Sequence, residues 1–294
     1  MAEEDICPDY GLRPLWDALY EIYAEFAKVC DRHGLRYYAF AGTLLGAIRH
    51  KGFIPWDDDL DVAMPRPDYE KFVQIYKTEL PRHLKFVDWK NTPEFHMLFG
   101  KIQDARKEKV LTLEKRLGHM LSNGVYIDIF PIDAYPSNKL YRTYLKYRDL
   151  LLLPIERFHL YEFSHLSKKG KLAWIFGAFL SLLVPWLRKH DQFMALHENA
   201  IKKENYEEAD LVSDCGLRYN VLSQPVMPKD GWGTPVPHEF DGRGIMIQQD
   251  YKGYLKQKFG DYMKLPPQKS RRPSHQYSWR CAWWLGPTKL DVNG

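Results

Sequence analysis

Apolar side chains at Leu15, Leu19, Ile22, Tyr23, Phe26 and Cys30 recur at three- and four-residue spacing, which predicts a helix over 14–33 closed by Gly34. The period then changes. RYYAFA, residues 36–41, is short, aromatic-rich and stopped by Gly42, the mark of a strand running into a tight turn. Thr43 stands where a helix N-cap belongs, ahead of the compact helical stretch LLGAI. Leu60, Val62 and Met64 next alternate with Asp59, Asp61 and Ala63, so a short strand is predicted with one apolar face and one face carrying the aspartates. Arg66-Pro67-Asp68 opens a helix that runs to about Leu80, where Pro81 ends it. Short strands are expected at 85–89, 95–103, 110–115 and 125–130. Residues 139–204 read as mainly helical, and 205–243, rich in Gly, Pro and polar residues, as a long irregular segment of the kind that often binds ligands. No internal repeat or low-complexity tract interrupts the chain.

The stretch FIPWDDDLD concentrates Asp57, Asp58, Asp59 and Asp61 directly after an apolar run. Carboxylates a few ångströms apart repel, so such a cluster is either fully solvated or holds a cation. Side chains two apart on a strand point the same way, so Asp59 and Asp61 can converge on a hard divalent cation such as Mg²⁺ or Mn²⁺. Asp57 and Asp58 precede the strand and read as solvated or loop-shaping. What comes before favours the cation. A strand, a Gly42-Thr43 turn, a helix start and then Asp-x-Asp bring a phosphate-accepting backbone and a metal site to one place. Asp128 is the only acid inside the apolar strand 125–130. It must be satisfied by metal ligation, by general-base duty or by a nearby Lys or Arg. Asp133, after Pro131, reads as a cap for the helix near Lys139 or as part of a turn. Arg49, His50 and Lys51 lie between the turn and the acids and can face a diphosphate, unless the loop is simply solvated. Lys101 sits mid-strand, where a lysine needs a wet face or a ligand.

The turn and the Asp-x-Asp strand resemble the nucleotidyltransferase superfamily, with Thr43 in place of a small second residue. Within it, GTLLGAIRHKGFIPWDDDLDVAMPRPDYEKF is similar to the signature of the LicD family, which includes bacterial phosphorylcholine transferases and, more distantly, the fukutins. YIDIFPID from Tyr126 and FGDYMKLPPQKSRRPSH from Phe259 resemble later landmarks of that family. The resemblance implies that the third block, with Arg271, Arg272 and His275, returns to the active site; spacing alone would make it a basic tail.

Composition fits an enzyme: 294 residues at 45% hydrophobic can bury a sizeable core. A formal charge of +4, without a basic stripe interleaved with stacking aromatics, argues against nucleic acid. Cys7, Cys30, Cys215 and Cys281 are scattered without CxxC or zinc spacing, which fits reduced thiols in the cytoplasm. The acidic start MAEEDICPDYG has no apolar core and does not read as a signal peptide. The one long apolar run, LAWIFGAFLSLLVPWL at 172–187, reaches only ~24 Å as a helix, short of the roughly 30 Å hydrocarbon core. Two placements suit it: against an anionic membrane surface, given its basic flanks, or buried in the core or at a dimer contact.

The sequence therefore predicts an α/β (α+β) protein with a nucleotidyltransferase-like mixed sheet, flanking helices and a helical C-terminal part. Residues 1–137 would form the catalytic core and 138–294 a mainly helical part whose last segment returns to the site, or the whole a single domain. The resemblance implies metal-dependent transfer of phosphocholine from CDP-choline to a hydroxyl of a cell-surface glycan or teichoic acid precursor, releasing CMP. Asp59, Asp61 and Asp128 would hold Mg²⁺, with Asp128 also the base. Gly42, Thr43, Arg49, His50, Lys51, Lys101, Arg271, Arg272 and His275 would bind the donor. Trp56, Trp89, Trp232 and Trp279 are candidates to cage the quaternary ammonium. The acceptor would be lipid-linked, met by a cytoplasmic enzyme held peripherally on the inner membrane face through 172–187. The alternatives are a nucleotidyltransferase that moves an NMP group with pyrophosphate release, and a non-catalytic membrane-associated scaffold.

Overall fold

The computed structural model describes residues 11–92, 95, 97–104, 106, 124–160, 163, 167–185, 189–214 and 224–273. Helix α1 (Arg13–His33) has a proline in its first turn and ends at Gly34, whose φ of 60° is the left-handed cap that a side chain disfavours. Its predicted apolar face is buried throughout. There follow β1 (Tyr38–Ala39), α2 (Ala41–His50), β2 (Asp61–Pro65), α3 (Arg66–Glu79), β3 (Leu84–Val87), β4 (Gly100–Asp104) and β5 (Tyr126–Ala134). Parallel β2 and β5 lie at the centre of the sheet, in the order β1-β2-β5-β4-β3, and the other ladders are antiparallel. The mixed α/β sheet with flanking helices is the predicted class.

Several boundaries differ from the sequence reading. The strand expected from residue 95 begins at Gly100, because Phe95 is held in a turn by its N–H to the Thr92 carbonyl. The strand expected at 110–115 lies outside the described residues. β5 runs past Pro131, where a strand would be expected to stop. Pro131 pairs with Met64 on one side; on the other it falls between the end of the β4 ladder at Ile129 and the start of the next at Asp133, so its missing N–H interrupts no ladder there.

The predicted helical stretch is three helices: α4 (Lys139–Leu160), α5 (Lys168–Leu183) and α6 (His190–Ile201). They share a small core of Leu98, Ile155, Phe193, Met194 and Ile201. The segment read as irregular is instead built of elements too short to show a period: β6 (Leu211–Ser213), β7 (Val226–Pro228), α7 (Lys229–Trp232) and β8 (Val236–Phe240). β6 joins the edge of β5 beyond Asp133, β7 pairs with β6, and β8 forms a hairpin with β9 (Arg243–Ile247) before α8 (Tyr251–Phe259). Tyr206, Val212, Met227, Trp232, Phe240, Ile245 and Tyr254 complete the core begun by α1 and the sheet.

Asp133 is neither a cap nor a turn residue. It lies in β5, and its two oxygens accept from Arg66 Nε at 2.6 Å and Nη2 at 2.7 Å, both side chains being almost fully buried. Glu198 of α6 stands 3.7 Å from the same guanidinium and 2.8 Å from Lys90 Nζ, so one buried charge network joins α3, β5 and the helical part.

Candidate active site

Asp61 opens β2 directly beside Asp128 of β5, and Asp128 faces Lys101 of β4 across the next ladder. Neighbours in register share a face of the sheet, so the three form a row. Lys101 Nζ lies 2.6 Å from Asp128 Oδ1 and 3.6 Å from the centre of the Tyr126 ring. Asp128 is thus paired with a lysine, and the mid-strand lysine has its ligand inside the protein.

Just before β2, carboxylate oxygens of Asp57, Asp58 and Asp59 lie within 4.8 Å of one another, all three half-buried. Two of the four acids read as most exposed therefore belong to the cluster. Burial pushes the Asp57 carboxyl well above the usual carboxylate range, and the charges of Asp59 and Asp58 push it further. Burial does the same to Asp61, reinforced by Asp59, Asp128 and Asp57 and only partly countered by Lys101. Carboxyls raised in this way gain by taking up either protons or a cation. A convergent set of hard oxygen donors fits Mg²⁺ or Mn²⁺.

The start of α2 is fitted to these acids. The helix begins at Ala41, two residues before the expected cap, with extended Phe40 as its N-cap. Thr43 is buried inside the first turn, and its Oγ1 accepts the Asp61 N–H at 2.8 Å, fastening β2 to the helix. A Cβ on Gly42 would come 2.7 Å from Asp57 Oδ2, so the bare glycine is what lets this carboxylate approach the helix start. Trp16 Nε1 donates to the Asp57 carbonyl at 2.8 Å and steadies the loop from α1.

The expected cations divide. Arg49 Nη1 donates to the carbonyls of Tyr262 and Lys264, which ties α2 to the segment after α8. Burial, then the positive charge of Arg49, pushes the His50 imidazole down to about 4, so at neutral pH it offers a hydrogen bond and no charge. Lys51 is exposed and 3.9 Å from Glu239. The Arg271 guanidinium lies 5.9 Å from the Trp56 ring, so the C-terminal block does reach the loop that carries the acids. Arg272 is exposed, and His275 and Trp279 lie outside the described residues. Trp232 is a core residue packed on Tyr38 and Tyr254, and Trp89 packs on the helical core; Trp56 is the candidate adjoining the acids.

Lys258, on α8, carries no mark of its own in the sequence that sets it apart from the chain's other lysines. Its Nζ donates to Gln224 at 2.7 Å and lies 5.6 Å from the Phe40 ring, beside the start of α2. Burial lowers the ammonium below its ordinary value, while Asp214 and Asp61 pull it back up. The only sequence signal is its place just before the Phe259-Gly260-Asp261 landmark.

A family model described as "LicD/FKTN/FKRP, nucleotidyltransferase domain" matches residues 34–159. All the acids of the site lie inside that stretch; Lys258 and Arg271 lie beyond it. The chain is 30% identical over 258 residues to a protein of Haemophilus influenzae named lipopolysaccharide cholinephosphotransferase LicD, covering 85% of this chain and 90% of that one. An uncharacterized protein of Rickettsia prowazekii is 38% identical over 157 residues, 52% of this chain and 49% of that protein. One of Rickettsia typhi is 40% identical over 58 residues, 20% of this chain and 19% of its own.

Proposed function

Because the chain belongs to the LicD family, we propose that it transfers phosphocholine from CDP-choline to a hydroxyl of a lipid-linked surface glycan precursor, releasing CMP. The observation that carries this reading is the convergence of Asp57, Asp58 and Asp59 beside the Asp61–Asp128 register at the start of α2. Asp57, Asp59 and Asp61 would hold Mg²⁺ or Mn²⁺, which when bound supplies positive charge to the phosphoryl oxygens. The chain's own residues do the rest. Asp128, oriented by Lys101, takes the proton of the acceptor hydroxyl. Lys258 and Arg271 supply fixed positive charge to the donor phosphates, and Gly42 lets the Asp57 carboxylate reach the first turn of α2. Trp56 offers a ring face to the choline head. The enzyme works on the cytoplasmic side, peripherally at the inner membrane face where a lipid-linked acceptor is presented.

Product analysis tests the reaction. CMP released from CDP-choline in the presence of Mg²⁺ and acceptor supports it. Pyrophosphate released from a nucleoside triphosphate overturns it in favour of nucleotidyl transfer, and absence of Mg²⁺-dependent donor binding in calorimetry favours a scaffold.

Lys258→Met is expected to raise KM for the donor by about tenfold, the size of one charge-assisted contact of ~1.5 kcal/mol, with a smaller change in kcat. Lys258→Arg should restore part of it. An unchanged KM with a lowered melting temperature would reduce Lys258 to a packing role.

The raised carboxyls also predict a pH dependence. Above the ordinary carboxylate value of about 4 the unfolded chain has released its protons, while folded Asp57 and Asp61 still hold theirs. Their contribution to stability therefore falls as pH rises from there through their raised values. A divalent cation replaces those protons, so the Mg²⁺-induced rise in melting temperature should grow between pH 5 and pH 8 and be largely absent in Asp61→Asn. A pH-independent Mg²⁺ shift of equal size in both proteins would place the cation elsewhere.

A further inference from the structure

Helix α5 is built inside out. Its buried positions are Gly170, Gly177 and Ser181, whereas Leu172, Ile175, Phe176, Phe179, Leu182 and Leu183 are each more than half exposed. The exposed set is spaced i, i+3, i+4, i+7, i+10 and i+11, one continuous helical stripe. The small residues serve the partner helix: Gly177 lies against the backbone of Pro154 in α4, where any Cβ would collide with the Pro154 carbonyl. Helix α4 repeats the arrangement, with Leu140, Tyr144, Tyr147 and Leu151 exposed at i, i+4, i+7 and i+11. Of the fifteen exposed large hydrophobic residues among those described, eleven fall between Leu140 and Leu183. That is not a core helix, and water does not tolerate so large an apolar patch without a partner.

We infer that the α4–α5 hairpin is a docking platform for an anionic lipid bilayer, with both helices contributing and neither crossing it. This deepens the peripheral placement proposed above, but it rests on exposure and charge and is independent of the chemistry at the aspartates. Small residues between helices and large apolar ones outside is the arrangement that lipid, rather than water, selects. No helix among the described residues is long and apolar enough to span. The charge selects the lipid. Residues 139–183 carry eight Lys and Arg against three Asp and Glu, more net positive charge than the +4 of the whole chain. Lys168 and Lys169 stand exposed at the start of α5, and Lys139 and Lys146 on α4. An apolar face bordered by lysines matches an anionic leaflet, where each basic residue adds to binding and salt screens it.

The test is co-sedimentation of the full chain with phosphatidylglycerol-containing vesicles and with neutral phosphatidylcholine vesicles, at low and high salt. The expected result is binding to the anionic vesicles that falls at least about tenfold on raising the salt, with weaker binding to neutral ones. The double variant Phe176→Glu/Phe179→Glu alters only exposed side chains and should lose about a hundredfold in partitioning. It should keep its melting temperature and its donor hydrolysis or transfer to a soluble acceptor. Failure of transfer with vesicle binding intact would overturn the reaction and leave the platform standing. Vesicle binding unchanged in the variant, no binding at low salt, or a wild-type dimer that the variant converts to monomer would each overturn the platform, the last by giving the face to a second copy.

Discussion

Asp59→Asn and Asp61→Asn each leave a folded protein with transfer activity reduced by about a thousandfold or more, the loss expected when a metal-binding, charge-carrying group of roughly 4 kcal/mol is removed from a transition state. The amide keeps the shape of the carboxylate but carries no charge. Asp61 is bound to the rest of the site through backbone as well as side chain: its N–H reaches Thr43 Oγ1, and its carbonyl accepts from the Phe40 N–H at 3.0 Å. The substitution therefore leaves the strand in place. Stability should rise slightly at neutral pH in metal-free protein, because one member of a mutually repelling buried cluster has been neutralised. Steady-state turnover at saturating Mg²⁺, paired with thermal melts in EDTA, reads both effects. Asp57→Asn is expected to lose activity as well, since its carboxylate touches the start of α2 and belongs to the three-acid cluster. Near-normal turnover in Asp59→Asn or Asp61→Asn would remove those residues from the metal site.

Asp133→Ala and Arg66→Ala each cost about 3–5 kcal/mol of unfolding free energy, because either change strands a charge with almost no access to water. The two losses do not add: the double variant Arg66→Met/Asp133→Leu, which fills the space without charge, should recover most of what either single change removes. Glu198 then loses Arg66 but keeps Lys90 at 2.8 Å, so part of the network persists. Urea unfolding of the four proteins gives the cycle. Single variants within 1 kcal/mol of the parent would mean that water reaches this pair and that the network does not hold α3 and the helical part to the sheet.

Much of this molecule is written locally. The three-and-four spacing of α1 and the proline that opens α3 act within a few residues, and the chain adopts them as read, whereas the strand read from the alternation forms only from Asp61 and leaves Asp59 in the loop before it. The acid cluster was legible for the same reason: four carboxylates in five positions have a physical consequence whatever they pack against. Which acids join it was not. Asp57 is drawn in by a glycine fifteen residues earlier, and Asp128 meets Lys101 only because β4 and β5 pair in one register of several that are sterically possible. Asp133 finds Arg66 across 67 residues, and Lys258 reaches the start of α2 only after the chain has passed through the helical part and two further pairs of strands. The same limit applies to α4 and α5. Periodicity fixes which side chains share a helical face, but not whether that face meets core, solvent or lipid, since each partner leaves the same pattern in the chain. Only the packing of Gly177 on Pro154 decides it, by putting the small residues inside and the large apolar ones out.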